Sequence, residues 1–323
     1  MDSNNIHGSV TIGVDLGGSN TALAAVDRNG NIIDIESFST ALPTATLWAD
    51  ELCRRIKCMA ERNMLQGLIT GIGIGAPCAN ANTGCIEGAT DLPWQSPIPL
   101  AEMVNRRLGL PVTVSNDANA AAIGEMSYGC AKGMSDFILL TLGTGVGSGI
   151  VCDGHLLSGT RGFAGELGHM TFPFASDRPC RCGRNGCLQT VASAKGIVET
   201  ARRLLAKDST PSSLREIPLS ELTSEKIARA ARAGDSTALE TFRFTGHCLG
   251  LAAAEFASIT DPEAIILFGG VARSADLLLD HMREAYEGAA LHIYRSRVRF
   301  LTTEINDSDA AVLGAASLPY ICK

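Results

Sequence analysis

Ser9–Phe38 reads SVTIGVDLGGSNTALAAVDRNGNIIDIESF, and Asp136–Gly159 reads DFILLTLGTGVGSGIVCDGHLLSG. The first begins with an apolar run at Val10–Val14, passes through a glycine-rich loop and resumes at Ala22–Val26. Asn29-Gly30 then marks a turn before a third run. The second keeps that order: a strand at Phe137–Leu142, a Gly/Thr loop, a strand at Gly149–Cys152, the turn Asp153-Gly154 and a short third strand. Asn-Gly and Asp-Gly are favoured two-residue hairpin turns because they tolerate the positive φ such turns need. Both stretches are therefore predicted to be antiparallel three-strand units with a glycine loop at one end. Their recurrence predicts a duplicated architecture, with facing halves that each give one loop to a shared cleft.

Elsewhere helical and extended patterns alternate. Trp48–Gln66 is apolar at Leu52, Ile56, Met59 and Ala60, close to the helical period, and stops at Gly67. Leu68–Gly75 and Pro111–Ser115 read as strands, and Asn119–Tyr128, Ser193–Ala206 and Thr237–Ser258 as helices. Ala264–Phe268 reads as a strand running into Gly269-Gly270, and Pro211–Pro218 as a flexible surface segment. The class is mixed α/β, and 323 residues favour two domains over one. A net charge of −7 disfavours nucleic-acid backbones and anionic lipid surfaces, so neither is an expected partner. The opening Met1–Ser9 is short and polar, and no apolar run approaches the ~20 residues that span a bilayer. Eleven cysteines, an odd number scattered along the chain, suit a reducing cytoplasm better than a disulfide framework.

Two loops invite phosphate. Asp15-Leu-Gly-Gly-Ser-Asn-Thr21 follows a strand, and its glycines let backbone N–H groups approach anionic oxygens. Leu142-Gly-Thr-Gly-Val-Gly-Ser-Gly149 does the same, with added hydroxyls at Thr144 and Ser148. Asp15 suits Mg²⁺, which prefers carboxylate, water and phosphate oxygens. Phe268-Gly-Gly-Val-Ala272 is a third glycine turn after a strand. None is a Walker A loop, and neither hairpin loop is a dinucleotide fingerprint, because each opens into another strand rather than a helix.

A different chemistry sits at ELGHMTFPFASDRPCRCGRNGCLQ, Glu166–Gln189. His169, Cys180, Cys182 and Cys187 form a complete set of tetrahedral ligands for a structural Zn²⁺. Gly183 and Gly186 supply the turns of a tight chelate; the plainer alternative is reduced cysteines beside an unrelated histidine. Glu166 is either part of a shaped site or a solvated surface acid. Asn116-Asp117 follows a strand, so Asp117 is either a helix N-cap or a carboxylate projecting at the strand's C-terminal end.

The two phosphate loops, Asn116-Asp117-Ala-Asn-Ala120, Glu166-x-x-His169 and Cys180-x-Cys-Gly-x-x-Gly-Cys187 together resemble the ROK family of the actin/hexokinase superfamily. Gly75-Ala-Pro77 and Leu92-Pro-Trp94 are most similar to its bacterial glucokinases. The resemblance implies a two-lobed, ribonuclease H-like fold with a duplicated βββαβαβα core and an interlobe cleft. The smaller lobe would hold 1–118 plus 307–323, and the larger one 119–306. It implies an ATP-dependent sugar kinase, glucose first, with ATP, Mg²⁺ and structural Zn²⁺, and a homodimer. Asp117 would be the base on a sugar hydroxyl. Gly75, Asn116, Glu166, His169 and Gln189 would also meet the sugar. Asp15, Gly17, Gly18, Ser19, Asn20, Thr21, Gly143, Thr144, Gly145, Gly269 and Gly270 would meet the nucleotide. His169 could bind zinc through one ring nitrogen and a sugar hydroxyl through the other.

Three positions depart from the family's pattern. Gln189 stands where a Glu is usual, Asp91 where Asn precedes Leu-Pro-Trp, and Asn20 where Lys is frequent. The first costs a charge-assisted bond, worth ~1.5–3 kcal/mol. An N-acetylhexosamine kinase, such as one for N-acetylmannosamine, shares the same catalytic set. A sugar-binding repressor needs an N-terminal helix-turn-helix of about sixty residues, whereas the first strand is expected near Val10. A non-catalytic sensor is the remaining alternative, and intact Asp15, Asp117 and both loops argue against it.

Overall fold

The computed structural model describes residues 8–88, 92–207, 209–305 and 307–321; the polar opening before Gly8, Asp91 and Cys322 lie outside them. The chain packs as two units. The first holds residues through Gly133, then His155–Ala164 and the segment from Glu304; the second holds Met134–Gly154 and Gly165–Thr303.

In the first unit β1 (Val10–Leu16), β2 (Asn20–Val26) and β3 (Ile32–Ser39) form the expected antiparallel meander. Helix α1 (Ala45–Arg62) leads to β4 (Ile69–Gly75), which lies parallel to β1. A small hairpin of β5 (Ala79–Asn80) and β6 (Cys85–Ile86) follows, then α2 (Leu100–Leu108), β7 (Val112–Ser115) and α3 (Asp117–Tyr128). Sheet order is β3-β2-β1-β4-β7. Asp15 pairs with Gly75, and Gly75 with Ser115, so three parallel strands end in one row.

The two faces of this sheet differ in kind. Ile12, Val14, Leu16, Leu23, Ile72 and Ile74 bury one face under Trp48, Leu52, Ile56 and Met59 of α1. That helix starts earlier than its apolar pattern, because Thr44 Oγ1 accepts Leu47 N–H at 3.2 Å and caps it. It also ends before Gln66, since the chain turns through Met64 at φ 54°. The other face is nearly bare. Gly13, Gly71 and Gly73 alternate with the isoleucines and valines, and α9 (Asp307–Ile321) lies with its main chain on Gly13 and Gly73 and with its Pro319 ring on Gly71. A Cβ at Gly13 would stand 1.9 Å from Val312 O, and one at Gly73 1.8 Å from Ala315 O. Helix α3 meets α9 the same way: a Cβ at Gly314 would lie 2.3 Å from Ala120 O. Through that contact α3 belongs with the first unit, which therefore runs on past residue 118 to Gly133.

The second unit repeats the plan. Strands β8 (Phe137–Leu142) and β9 (Val146–Cys152) are antiparallel; the short β10 (His155–Leu156) follows them in the chain and falls in the first unit. Helices α4 (Gln189–Ala192), α5 (Ala194–Lys207), α6 (Ser224–Arg232) and α7 (Ser236–Thr260) precede β11 (Ala264–Phe268), α8 (Ala275–Ala289) and β12 (Arg299–Thr302). The order β9-β8-β11-β12 matches β2-β1-β4-β7, with the same parallel and antiparallel pairings. Strand β9 begins at Val146, before the expected Gly149, because Gly143 N–H closes the loop onto Gly145 O at 3.0 Å. The Pro211–Pro218 stretch is not a loose surface segment: Ser213–Glu216 forms a 3₁₀ turn with Leu214 fully buried. Asp235 ties it down, accepting from Ser212 and Ser213 while capping α7. No helix among the described residues is long and apolar enough to cross a membrane.

Gly73→Ala should cost the protein about 3 kcal/mol or more, because the methyl group meets backbone that cannot retreat. Gly288→Ala, in α8 with open space around it, should instead be neutral or stabilise by up to about 1 kcal/mol. Urea unfolding of both variants checks the contrast; a near-neutral Gly73→Ala would refute the close approach.

Candidate functional site

In the first unit the candidate residues gather where β1, β4 and β7 end. The loop after β1 is a tight hairpin: Gly17 N–H donates to Asn20 O at 3.0 Å, and Thr40 N–H to Ser19 O at 3.0 Å. Gly18, Ser19 and Asn20 are exposed. Thr21 is not. It is fully buried, its hydroxyl accepting Trp48 Nε1–H at 2.9 Å and bonded to Thr40 Oγ1 at 2.8 Å. Its side chain anchors the loop from below rather than facing a phosphate.

Gly75 makes room for a helix. A Cβ there would lie 3.3 Å from Ala120 Cβ and 3.9 Å from Asp117 Cα, so a bare strand end lets α3 begin against it. Helix α3 starts at Asp117, two residues earlier than its apolar pattern, with Asn116 as N-cap. Asn116 Oδ1 accepts Ala118 N–H at 2.9 Å, and Asp117 Oδ1 shares that N–H at 2.8 Å. Capping thus falls to Asn116, and Asp117 Oδ2 has no hydrogen-bond partner among the described residues. Although water reaches Asp117, the protein around it desolvates the carboxyl and holds it above the ordinary carboxylate range, against the lowering pull of the Ala118 and Asp117 N–H groups. Burial, and then the negative charge of Asp117, push Asp15 from its ordinary 3.8 up to about 6. Two carboxylates of raised proton affinity, one of them raised in part by the other, are suited to a divalent cation and to proton transfer.

In the second unit, adjacent parallel strands place two glycine turns side by side. Thr141 of β8 pairs with Phe268 of β11, so Gly143–Gly145 and Gly269-Gly270 leave the same sheet edge. Gly269 has φ 92°, and a Cβ on it would stand 3.0 Å from Leu142 O; only glycine fits both demands. Ala194 N–H, opening α5, donates to Gly143 O at 2.8 Å and fixes the loop from behind. Gly143 and Thr144 are exposed.

Ser148 departs from its expected place among the phosphate hydroxyls. It shares the inward face of β9 with Val146 and Ile150, and its hydroxyl donates to Gly165 O while accepting Leu167 N–H at 3.1 Å. It therefore grips the backbone on both sides of Glu166, which is exposed. Gly168 completes the grip, since a Cβ there would lie 2.0 Å from Val146 O.

His169 ends the 3₁₀ turn Leu167–His169, and a knuckle formed by bridges Thr171–Cys187 and Pro179–Asn185 brings the cysteines to it. Gly183 and Gly186 both take φ 86° to allow those turns. The four candidate ligand atoms lie within 4.8 Å of one another, with His169 Nδ1 3.8 Å from Cys180 Sγ and Cys182 Sγ 3.6 Å from Cys187 Sγ. A tetrahedral metal with bonds of about 2.0–2.3 Å needs ligand separations of roughly 3.5–3.8 Å, so the cluster can hold such an ion. The Arg184 N–H and guanidinium hold Cys182 down to about 6, toward the thiolate a metal requires. Arg184 Nη2 also donates to His169 O at 2.9 Å, a brace the spacing of ligands did not reveal. Gln189 turns its amide to Cys180 Sγ, at 3.0 Å. Asp91 lies outside the described residues.

Asp15 supplies a pH test. Its folded pKa lies above its unfolded value, so the folded chain binds more protons than the unfolded one between about pH 4 and 6. Through that window this group should lower the stability of the ligand-free protein as pH rises, by at most about 3 kcal/mol. Asp15→Asn should be more stable than the parent at pH 7, and their difference should vanish below pH 4. Urea titrations across that range that leave the difference constant would refute the shift.

The ROK family model matches residues 11–320. Glucokinase of Halalkalibacterium halodurans is 36% identical over 319 residues, 95% of this chain and 94% of its own. The crystal structure of a ROK family glucokinase from Streptomyces griseus, in complex with glucose and AMPPNP, matches at a TM-score of 0.76 and 33% identity, over 96% of this chain and 99% of that one. The xylose repressor of Bacillus subtilis is 27% identical over 313 residues, 95% of this chain and 76% of its own. Sequence motifs, duplicated sheets and a family match of this extent converge: the chain belongs to the ROK family, with its actin/hexokinase-like fold.

Proposed function

We propose that this chain is an ATP-dependent glucokinase, forming glucose 6-phosphate and ADP. The observation that carries the chemistry is Asp117: a carboxylate with a free oxygen, raised basicity and solvent access, set at the row of strand ends that also holds Asp15. In the reaction Asp117 takes the proton of the sugar's 6-hydroxyl as that oxygen bonds to the γ-phosphorus. The bond from that phosphorus to the β–γ bridging oxygen breaks, and ADP leaves with its electrons. A raised carboxylate pKa makes this transfer easier at neutral pH, because the base better matches the proton it receives.

The glycine hairpin after β1 in the first unit, and in the second the hairpin after β8 with Gly269-Gly270 on the next strand, each offer N–H groups of the kind that bind nucleotide phosphates. Mg²⁺ fits Asp15, whose charge a cation would relieve; when bound it neutralises charge on the β- and γ-phosphates. Asn116 keeps its Nδ2 for a sugar hydroxyl, since its oxygen is spent on the helix cap. Glu166 and the Nε2 of His169 would supply further partners. Zn²⁺ is the ion we assign to His169, Cys180, Cys182 and Cys187: soft thiolates with one imidazole and no open position describe a structural zinc site. Glucose is the sugar supported by relatives 31–36% identical that carry that activity.

ADP release should be strongest with glucose in a panel of hexoses and N-acetylhexosamines, at fixed ATP and Mg²⁺. Preference for N-acetylmannosamine would move the assignment to an amino-sugar kinase, and sugar binding without turnover would make the chain a sensor. Asp117→Asn should lower kcat by about 10²–10⁴-fold while glucose binding by calorimetry persists. Near-normal turnover in that variant would remove Asp117 from the role of base.

A further inference from the structure

Gln189 is the first residue of α4, two positions past Cys187, and its side chain is half-buried between two features of the second unit. On one side Nε2 donates to Cys180 Sγ at 3.0 Å. On the other, Oε1 fills the space beside Gly145, where an added Cβ would lie 2.9 Å from it. The two amide atoms are not interchangeable here. A thiolate sulfur accepts hydrogen bonds and has none to give, so only the NH₂ end can face Cys180.

We infer that Gln189 is a positioning residue that joins the metal knot to the glycine hairpin between β8 and β9. Its amide N–H holds the Cys180 sulfur in ligand geometry, and its oxygen rests against the backbone at Gly145. Knot and hairpin therefore share one side chain. The inference depends on a metal occupying the four-ligand cluster and is independent of which sugar is phosphorylated.

Two consequences follow from that sharing. A hydrogen bond to a coordinated thiolate restrains the ligand and tunes its donation to the metal, and losing such a partner commonly weakens metal binding about 10–100-fold. A methyl group at residue 145 would meet the Gln189 oxygen and displace the amide from the position in which it bonds Cys180, so a change in the hairpin is felt at the metal.

The test uses the zinc-loaded full chain, with release timed by excess chelator and a chromogenic zinc indicator. Gln189→Ala should release zinc about 10–100-fold faster. Gly145→Ala should speed release in the parent chain and add nothing in Gln189→Ala. Circular dichroism and urea midpoints establish that each variant is folded. Cobalt(II) loaded in place of zinc reads the sulfur directly. Its thiolate-to-cobalt charge-transfer band should move to longer wavelength in Gln189→Ala, because the bond that stabilised the sulfur lone pair is gone. Parent-like release with an unmoved cobalt band overturns the inference and leaves the zinc assignment standing. A parent chain that retains no zinc overturns both. Equal acceleration by Gly145→Ala with and without Gln189 overturns the shared side chain.

Discussion

Main chain pressed against main chain is the constraint on which the first unit depends. Helix α9 rests its main chain on β1 at Gly13 and on β4 at Gly73, where the sheet carries no side chain, and sets only the Pro319 ring on Gly71. The same helix admits α3 at Gly314 opposite Ala120. Glycine in strands and helices is entropically unfavourable, so seating it here has a cost that only a close approach offsets. What the approach secures is position. The start of α3 is set by rigid backbone against the ends of β1, β4 and β7, and Asp117 stands at that start beside Asp15.

The two acids then make the ligand-free site electrostatically uneasy. Burial disfavours the charge on each, and Asp117 further disfavours the charge on Asp15. Elsewhere the fold answers its charges locally, as where Arg62 meets Asp34 and Glu36. At the strand ends no described cation does so. Groups held away from their comfortable protonation state concentrate where chemistry is performed, and a divalent ion with its nucleotide would supply the missing countercharge. The second unit works differently, by fixing backbone: Gly269 against Leu142, Gly168 against Val146, and Ser148 across Gly165 and Leu167.

Much of this was legible in the residues, and the exceptions have physical reasons. The two hairpins announced themselves through paired turn signals, and the four metal ligands through residue types alone. Asp117 was ambiguous between cap and base because both roles occupy the residues before a helix. Only the bond from Ala118 to Asn116 assigns the cap. Ser148 was read as a loop hydroxyl because it adjoins a glycine run, and Thr21 was given to the nucleotide by the family resemblance. Strand alternation was the better guide, since Thr21 shares a face with Leu23 and Ala25, and Ser148 with Val146 and Ile150. The extent of the first unit was hidden, because the partner of α3 lies nearly two hundred residues further along. Leu214 was taken for surface because Pro, Ser and Thr surround it, and the anchoring acid Asp235 comes from another element.

The placement of α9 sets the order in which a ribosome can complete this molecule. Domains tend to fold as they emerge, N-terminal first. Here the unit that is begun first cannot be finished first. The whole of the second unit is synthesised before α9, and until then the glycine face of β1 and β4 has nothing to lie against it. During that interval the nascent chain carries one finished unit and one open sheet. Chaperone occupancy, translation pauses and misfolding in this protein should therefore centre on its earliest-made strands, which wait longest for their cover.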